Sequence, residues 1–160
     1  PAQIRPRQQF EQPTSHIDFT PTLVAAAGAK MPTDRPIDGV NILQALQHTH
    51  PKVAKQALPD RPLFWRDGGL RAVQYKGWKL IHSAKPDKDF LYDLKTDPTE
   101  KNNLASTQTE KLKELQALLK SHHQGMAEPL WPTFIEMPIM IDKTLDQHHT
   151  KEDEYTYWYN

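Results

Sequence analysis

Cysteine is missing altogether. Its absence excludes a disulfide framework and any thiolate zinc site. Charge of one sign is missing too, because 20 basic and 20 acidic residues cancel. A nucleic-acid-binding domain carries a basic excess on some face, so this balance argues against such a partner. No apolar run approaches the roughly eighteen residues needed to cross a bilayer, so no membrane partner is expected, and residues 1–7 hold no apolar stretch of the leader-peptide kind. Apolar residues are scarce at 37%, against about 45–50% with glycine included. Proline is plentiful instead: fourteen residues, about twice the usual share of roughly 5%. Such a chain is expected to have a modest core with long ordered loops, or to be part of a larger body.

The most structured stretch runs from Arg71 to Pro98. Arg71–Tyr75 and Trp78–His82 flank Lys76-Gly77, a two-residue link whose glycine suits the positive φ of a tight hairpin. Alternation puts Arg71, Val73 and Tyr75 on one face and Ala72 and Gln74 on the other. In the next strand Trp78, Leu80 and His82 oppose Lys79 and Ile81. Leu63-Phe64-Trp65 opens this β region with a turn at Asp67-Gly68-Gly69, and Phe90–Leu94 supplies a further strand before the stop at Asp97-Pro98. Both faces carry apolar residues, so both are expected to be covered. Behind the strands, Leu112, Leu115, Leu118 and Leu119 line one face of a helix. Thr107-Gln108-Thr109-Glu110 is a capping-box pattern for its start and Gly125 a plausible end.

Upstream, Ser15-His16-Ile17-Asp18 also has capping spacing. Ile17, Leu23, Val24 and Ala27 suit a helix face ending near Gly28, with Pro21 either starting or kinking that helix. Residues 29–41 read as loop, Asn41 to Gln47 as a short helix, and 48–61 as linker. From Glu128 onward, Pro129, Pro132 and Pro138 interrupt an apolar run, and the chain closes on Tyr155-Thr156-Tyr157-Trp158-Tyr159. This is expected to be an irregular tail wrapping some other surface.

Among side chains that carry chemistry, the eight histidines come mostly as adjacent pairs. Neighbours in extended chain point to opposite sides and make poor shared ligands. His82 stands apart at a strand end, where a packed, hydrogen-bonded imidazole is the first reading and a ligand contact the second. Asp93, Asp97, Glu100 and Asn102-Asn103 fit turn chemistry. Trp65-Arg66 beside Gly68-Gly69 sets an aromatic platform next to a guanidinium, which suits a sugar or sulfate. A core tryptophan with an exposed turn fits equally well. No nucleophile–base pair, phosphate loop or dinucleotide fingerprint is present.

The ordered motifs resemble the C-terminal part of the sulfatases, the arylsulfatase-like branch of the alkaline phosphatase superfamily. The matching pieces are Ser15 to Leu23 with Ala26-Ala27-Gly28, Pro32 to Arg35 with Ile37-Asp38-Gly39-Val40, and Arg61 to Arg66. They continue through Ala72-Val73 with Gly77-Trp78-Lys79-Leu80, Leu91-Tyr92-Asp93-Leu94, Asp97-Pro98-Thr99-Glu100 and Asn103-Leu104. The resemblance implies an α+β arrangement: an antiparallel sheet of about four strands covered by a C-terminal amphipathic helix. Residues 1–60 would be the last elements of a larger α/β catalytic domain plus linker, 61–127 the sheet-and-helix subdomain, and 128–160 the tail. It further implies a parent enzyme that hydrolyses sulfate esters with a formylglycine nucleophile and calcium. Those parts belong upstream, and the chain has neither a cysteine nor a Ser-x-Pro-Ser-Arg motif to carry them. Met137 to Lys143 and Asp153-Glu154-Tyr155 look most like carbohydrate-active bacterial sulfatases. That implies a sulfated carbohydrate substrate, an upstream catalytic domain as partner, and a periplasmic or extracellular parent. Trp65, Arg66 and His82 are the expected substrate contacts. The alternative functions are a stand-alone carbohydrate-binding or adaptor module, and a purely structural pseudo-domain.

Overall fold

Asp18 and Thr22 explain why the first segment folds as it does, with hydrogen bonds rather than hydrocarbon. Ser15 N–H donates to Asp18 Oδ2 (2.9 Å), which anchors a 3-10 turn over His16–Asp18. Helix α1 follows at Phe19–Ala26 and stops just ahead of Gly28. Pro21 lies in the first turn, where no intrahelical N–H bond is lost. The buried residues of α1 are Pro21 and Thr22, whereas Leu23 is 67% exposed, so Leu23 does not serve the apolar face expected for it. Asp18 Oδ1 accepts the Val40 amide (2.9 Å) and Thr22 Oγ1 the Ile42 amide (3.0 Å), tying the returning loop to the helix. Gly39 makes that approach possible, since a Cβ there would sit 2.0 Å from the Ile17 carbonyl oxygen. Asn41 Oδ1 then receives the Leu43 amide (2.9 Å) at the start of α2, Leu43–Gln47.

These coordinates are a computed structural model that describes residues 4, 6–7, 9–47, 58–131, 133–144 and 146–159. Most of the expected linker, 48–57, lies outside them, as does Pro132. The chain divides into two compact units, Pro1–Asp60 and Arg61–Asn160.

The second unit is built on a four-stranded antiparallel meander in the order β1-β2-β3-β4. Its strands are β1 Leu63–Asp67, β2 Leu70–Tyr75, β3 Trp78–Ala84 and β4 Asp87–Asp93. Lys76 and Gly77 turn β2 into β3 with φ of 51° and 83°. This double positive φ matches the twist of flanking strands, and only the glycine adopts it without steric cost. Helix α3, Thr109–Gln124, lies on one face of the sheet. There Val73, Leu80, Leu91 and Leu115, all 0% exposed, form the core with Leu119. Burying each such leucine contributes about 2 kcal/mol. The expected capping box does not close, because Thr107 turns back on Leu104 O through both its amide (3.1 Å) and its hydroxyl (3.2 Å). Gln108 occupies the N-cap position instead.

The outer edge of β4 is finished by a side chain. Asn103 Oδ1 accepts the Leu91 and Ala105 amides (3.0 Å each), and its Nδ2 donates to Asp89 O (3.1 Å). Leu104 N–H adds a bond to Leu91 O (2.8 Å). Asp97 orders the preceding turn by accepting the Lys101 and Asn102 amides at 2.9 and 2.8 Å.

The tail, expected to be irregular, carries a two-stranded ribbon among its loops: β5 Glu136–Met140 with β6 Tyr155–Tyr159. Pro138 is tolerated because β5 pairs on one side only, so no ladder donor is lost. The ribbon fastens to the turns of the meander. Ser83 Oγ meets Thr156 Oγ1 (2.8 Å), Lys85 bridges Glu136 (2.6 Å), Lys88 pairs with Glu154, and the Tyr159 ring covers Gly68 and Gly69.

Candidate functional site

Antiparallel register decides which candidate side chains meet. Residues directly opposite one another share a face, and Arg66 pairs with Arg71, Arg71 with His82, and His82 with Asp89. Arg66 and His82 therefore stand in one cross-strand row on the helix face, with Arg71 between them. Trp65, one residue away from Arg66, is turned to the opposite face. The expected trio is thus divided between two sides of the sheet.

On the open face, Trp65 is 43% exposed. It borders a groove of about 280 Å3 lined by Asp67, Ala72, Gln74 and Lys79. Ala72 lies directly across from Trp65 and Ile81 directly across from Ala72. The small side chain at 72 leaves the indole flank uncovered. Lys79 Nζ is held by Glu100 Oε1 at 2.6 Å, with both side chains about a quarter exposed. An exposed indole beside hydroxyl-matching groups and an ammonium is the chemistry of a saccharide surface: the ring face stacks on C–H groups and the polar neighbours take hydroxyls.

On the helix face, Asp89 organises the row. Its Oδ1 takes His82 Nδ1 (3.0 Å) and its Oδ2 takes Gln116 Nε2 (2.7 Å) from α3. His82 is therefore the packed, hydrogen-bonded imidazole of the first reading, and it also lines a groove of about 420 Å3 with Arg71, Lys120 and His123. Arg66 is engaged at the other end of the row. Its Nη1 donates to Ala127 O (3.4 Å), and Nη2 lies 3.8 Å from Glu128. His122 stacks on Phe64 with ring centroids 3.9 Å apart. Arg71, Gln116, Lys120 and His123 were not singled out from the sequence. Strand parity could have found Arg71, whereas the helix residues enter the groove only through docking of α3.

Among the described residues, no three histidine or carboxylate side chains converge to hold a metal ion. With no cysteine present, the residues here do not fit a calcium cage or a formylglycine source. The groove chemistry is that of binding surfaces.

Comparison with known proteins accounts for both units together. The family described as N-sulphoglucosamine sulphohydrolase, C-terminal, matches residues 1–128. The chain is 32% identical to steryl-sulfatase of Rattus norvegicus over 111 residues, covering 67% of this chain and 17% of that protein. It is 29% identical to N-acetylgalactosamine-6-O-sulfatase of Bacteroides thetaiotaomicron over 132 residues, covering 76% of this chain and 25% of the relative. Among solved structures it resembles BT4656 in complex with its substrate D-glucosamine-2-N,6-O-disulfate. That match has a TM-score of 0.51 and 26% identity, covering 67% of this chain and 23% of the other. The chain thus spans about a fifth of the length of the curated relatives it matches.

Proposed function

We propose a function from one premise: the chain belongs to the sulfatases, as a member of the N-sulphoglucosamine sulphohydrolase C-terminal family. It is the C-terminal segment of an enzyme that hydrolyses sulfate esters on a carbohydrate, and its part is to shape the substrate cleft. The observation that carries this reading is the match across residues 1–128. A similar chain solved with a disulfated glucosamine supports a sulfated sugar as the substrate class. The formylglycine and calcium of such an enzyme belong to its upstream catalytic domain, the partner of this segment. A periplasmic or extracellular location follows from that substrate class.

Within this reading Trp65 carries the sugar contact. Its exposed indole and the Ala72 gap offer a stacking surface, while Arg66 and His82 contribute from the other face. Joining the segment to its upstream reading frame tests the proposal. The frame is expected to contain a Cys/Ser-x-Pro-Ser-Arg motif, and the resulting protein to release sulfate from a sulfated glucosamine or galactosamine. Trp65→Ala should raise KM about tenfold with kcat changed far less, since a stacked ring contributes roughly 1–2 kcal/mol. Absence of the motif, combined with saccharide binding by the 160-residue chain, would favour the stand-alone module. No sulfate release from any sulfated saccharide would overturn the enzyme reading.

A further inference from the structure

Arg71 is the odd member of the helix-face row. It stands directly opposite Arg66 on β1, and like charges facing each other across strands are unfavourable without a counterion. Arg66 has the Ala127 carbonyl and Glu128. Arg71 Nε is buried and meets no hydrogen-bond acceptor among the described residues. The nearest carboxylate in the row, Asp89, does not neutralise it, because both Asp89 oxygens are committed to His82 and Gln116. A buried guanidinium nitrogen without an acceptor is costly, and sites that leave one open tend to have a ligand that fills it.

The space beside it is suitably built. The groove of about 420 Å3 is bounded by Arg71 from β2, His82 from β3, and Lys120 and His123 from α3. His123 Nδ1 is likewise buried without a partner. His82 is oriented through Nδ1 by Asp89, so its Nε2 is the free ring nitrogen, and protonation would make that atom a donor stabilised by Asp89. Asp87 and Asp89 are the acidic groups of the lining, and Asp89 is already engaged. We infer that this groove is an oxyanion-binding site for a sulfate-type group, with Arg71 as the central donor and Lys120 closing the exposed rim. A sulfate ester of a saccharide and free inorganic sulfate present the same oxygens to this donor set. The site rests on residues of this chain alone and stands whether or not the sulfatase reading does.

The test uses the full 160-residue chain at low ionic strength, with amide and imidazole shifts followed by NMR. The probes are inorganic sulfate, a monosulfated disaccharide and the same disaccharide without sulfate. Both sulfated probes are expected to shift Arg71, His82, Gln116 and His123, and the neutral disaccharide to leave them in place. Arg71→Gln should weaken binding about tenfold and Lys120→Gln about threefold. Lys113→Gln, on the exposed side of α3 where Lys113 pairs with Glu110, should change nothing. Lys120→Gln keeps the comparison valid should Arg71→Gln fail to fold, because Lys120 is exposed. Tighter binding of the sulfated disaccharide assigns the site to a glycan, and equal binding assigns it to the free ion; both support the inference. It is overturned by no shifts with either sulfated probe, by equal response to the neutral sugar, or by binding that survives both substitutions.

Discussion

Asn103 offers the sharpest test of how the second unit is held together. β4 is an edge strand, and a free edge exposes a row of unpaired amides and carbonyls. Asn103 takes the place of a fifth strand there, accepting from Leu91 and Ala105 and donating to Asp89 O. Substitution by alanine removes all three bonds and leaves two amides and a carbonyl without partners beside Leu91, which is 0% exposed. Each bond contributes about 0.5–1.5 kcal/mol net, and partial access of water to the loop moderates the sum, so Asn103→Ala should cost about 2–4 kcal/mol. For a unit of this size that is a fall in Tm of about 10–20 °C. The assay is urea unfolding followed by tryptophan fluorescence, which reads the sheet through Trp65 and Trp78, together with hydrogen exchange at the Leu91 amide. Thr107→Ala is the control. Its hydroxyl donates to Leu104 O in an exposed position, so the loss should stay under about 1 kcal/mol. Asn103→Asp keeps both acceptor roles but loses the donor and should fall between the two. An Asn103→Ala variant within about 0.5 kcal/mol of wild type, with the Leu91 amide still protected, would refute the reasoning.

Three further substitutions probe the other local devices. Lys76 holds φ 51°, a conformation that costs a side-chain-bearing residue about 1 kcal/mol and asparagine less, so Lys76→Asn should raise stability by about 0.5 kcal/mol in the same urea assay. Gly39→Ala would drive a methyl to 2.0 Å from Ile17 O. Backbone cannot yield as a flexible side chain does, so a loss of about 2 kcal/mol or more is expected, seen as faster exchange of the Val40 amide that Asp18 holds. The Asn102 and Lys101 amides keep the Asp97 carboxyl below its ordinary pKa. A carboxylate depressed in the folded state stabilises above the unfolded value of about 4 and loses that contribution as pH falls through the folded value. Asp97→Asn should therefore lower the urea midpoint at pH 7, and the gap from wild type should close toward pH 3. A gap of constant size would remove the carboxylate from the explanation.

What could be read from the sequence was what neighbouring residues decide among themselves. The Lys76-Gly77 turn, the alternation of Arg71–Tyr75 against Trp78–His82, and the leucine face of α3 all follow from spacings of a few residues, and the structure reproduces each. Where a local signal met a competing partner, the partner prevailed. Thr107 has the spacing of an N-cap, but Leu104 O captures its hydroxyl and amide, and the helix starts one step later. Pro138 signals a break in extended chain, yet a ribbon paired on one side has no bond for it to spoil. Leu23 fits an apolar face, but the buried side of α1 is taken by Pro21 and Thr22.

The candidate site was legible only by half, and for a geometric reason. Period-two alternation already places Trp65 and Arg66 on opposite faces, so no arrangement of β1 could have joined them in one surface patch. The row Arg66–Arg71–His82–Asp89 is fixed by three hairpin registers acting together. A one-residue slip in any of them would move His82 away from Arg71 or Asp89 and send the charges to the other face. Gln116 completes the set from a helix that begins after the whole sheet has been made. Each turn is a local instruction, and the juxtaposition is their product. The glycine at 77 therefore does more for the helix-face groove than its distance suggests: by pinning the β2–β3 register it sets Arg71 opposite His82, and so decides which charge faces which imidazole.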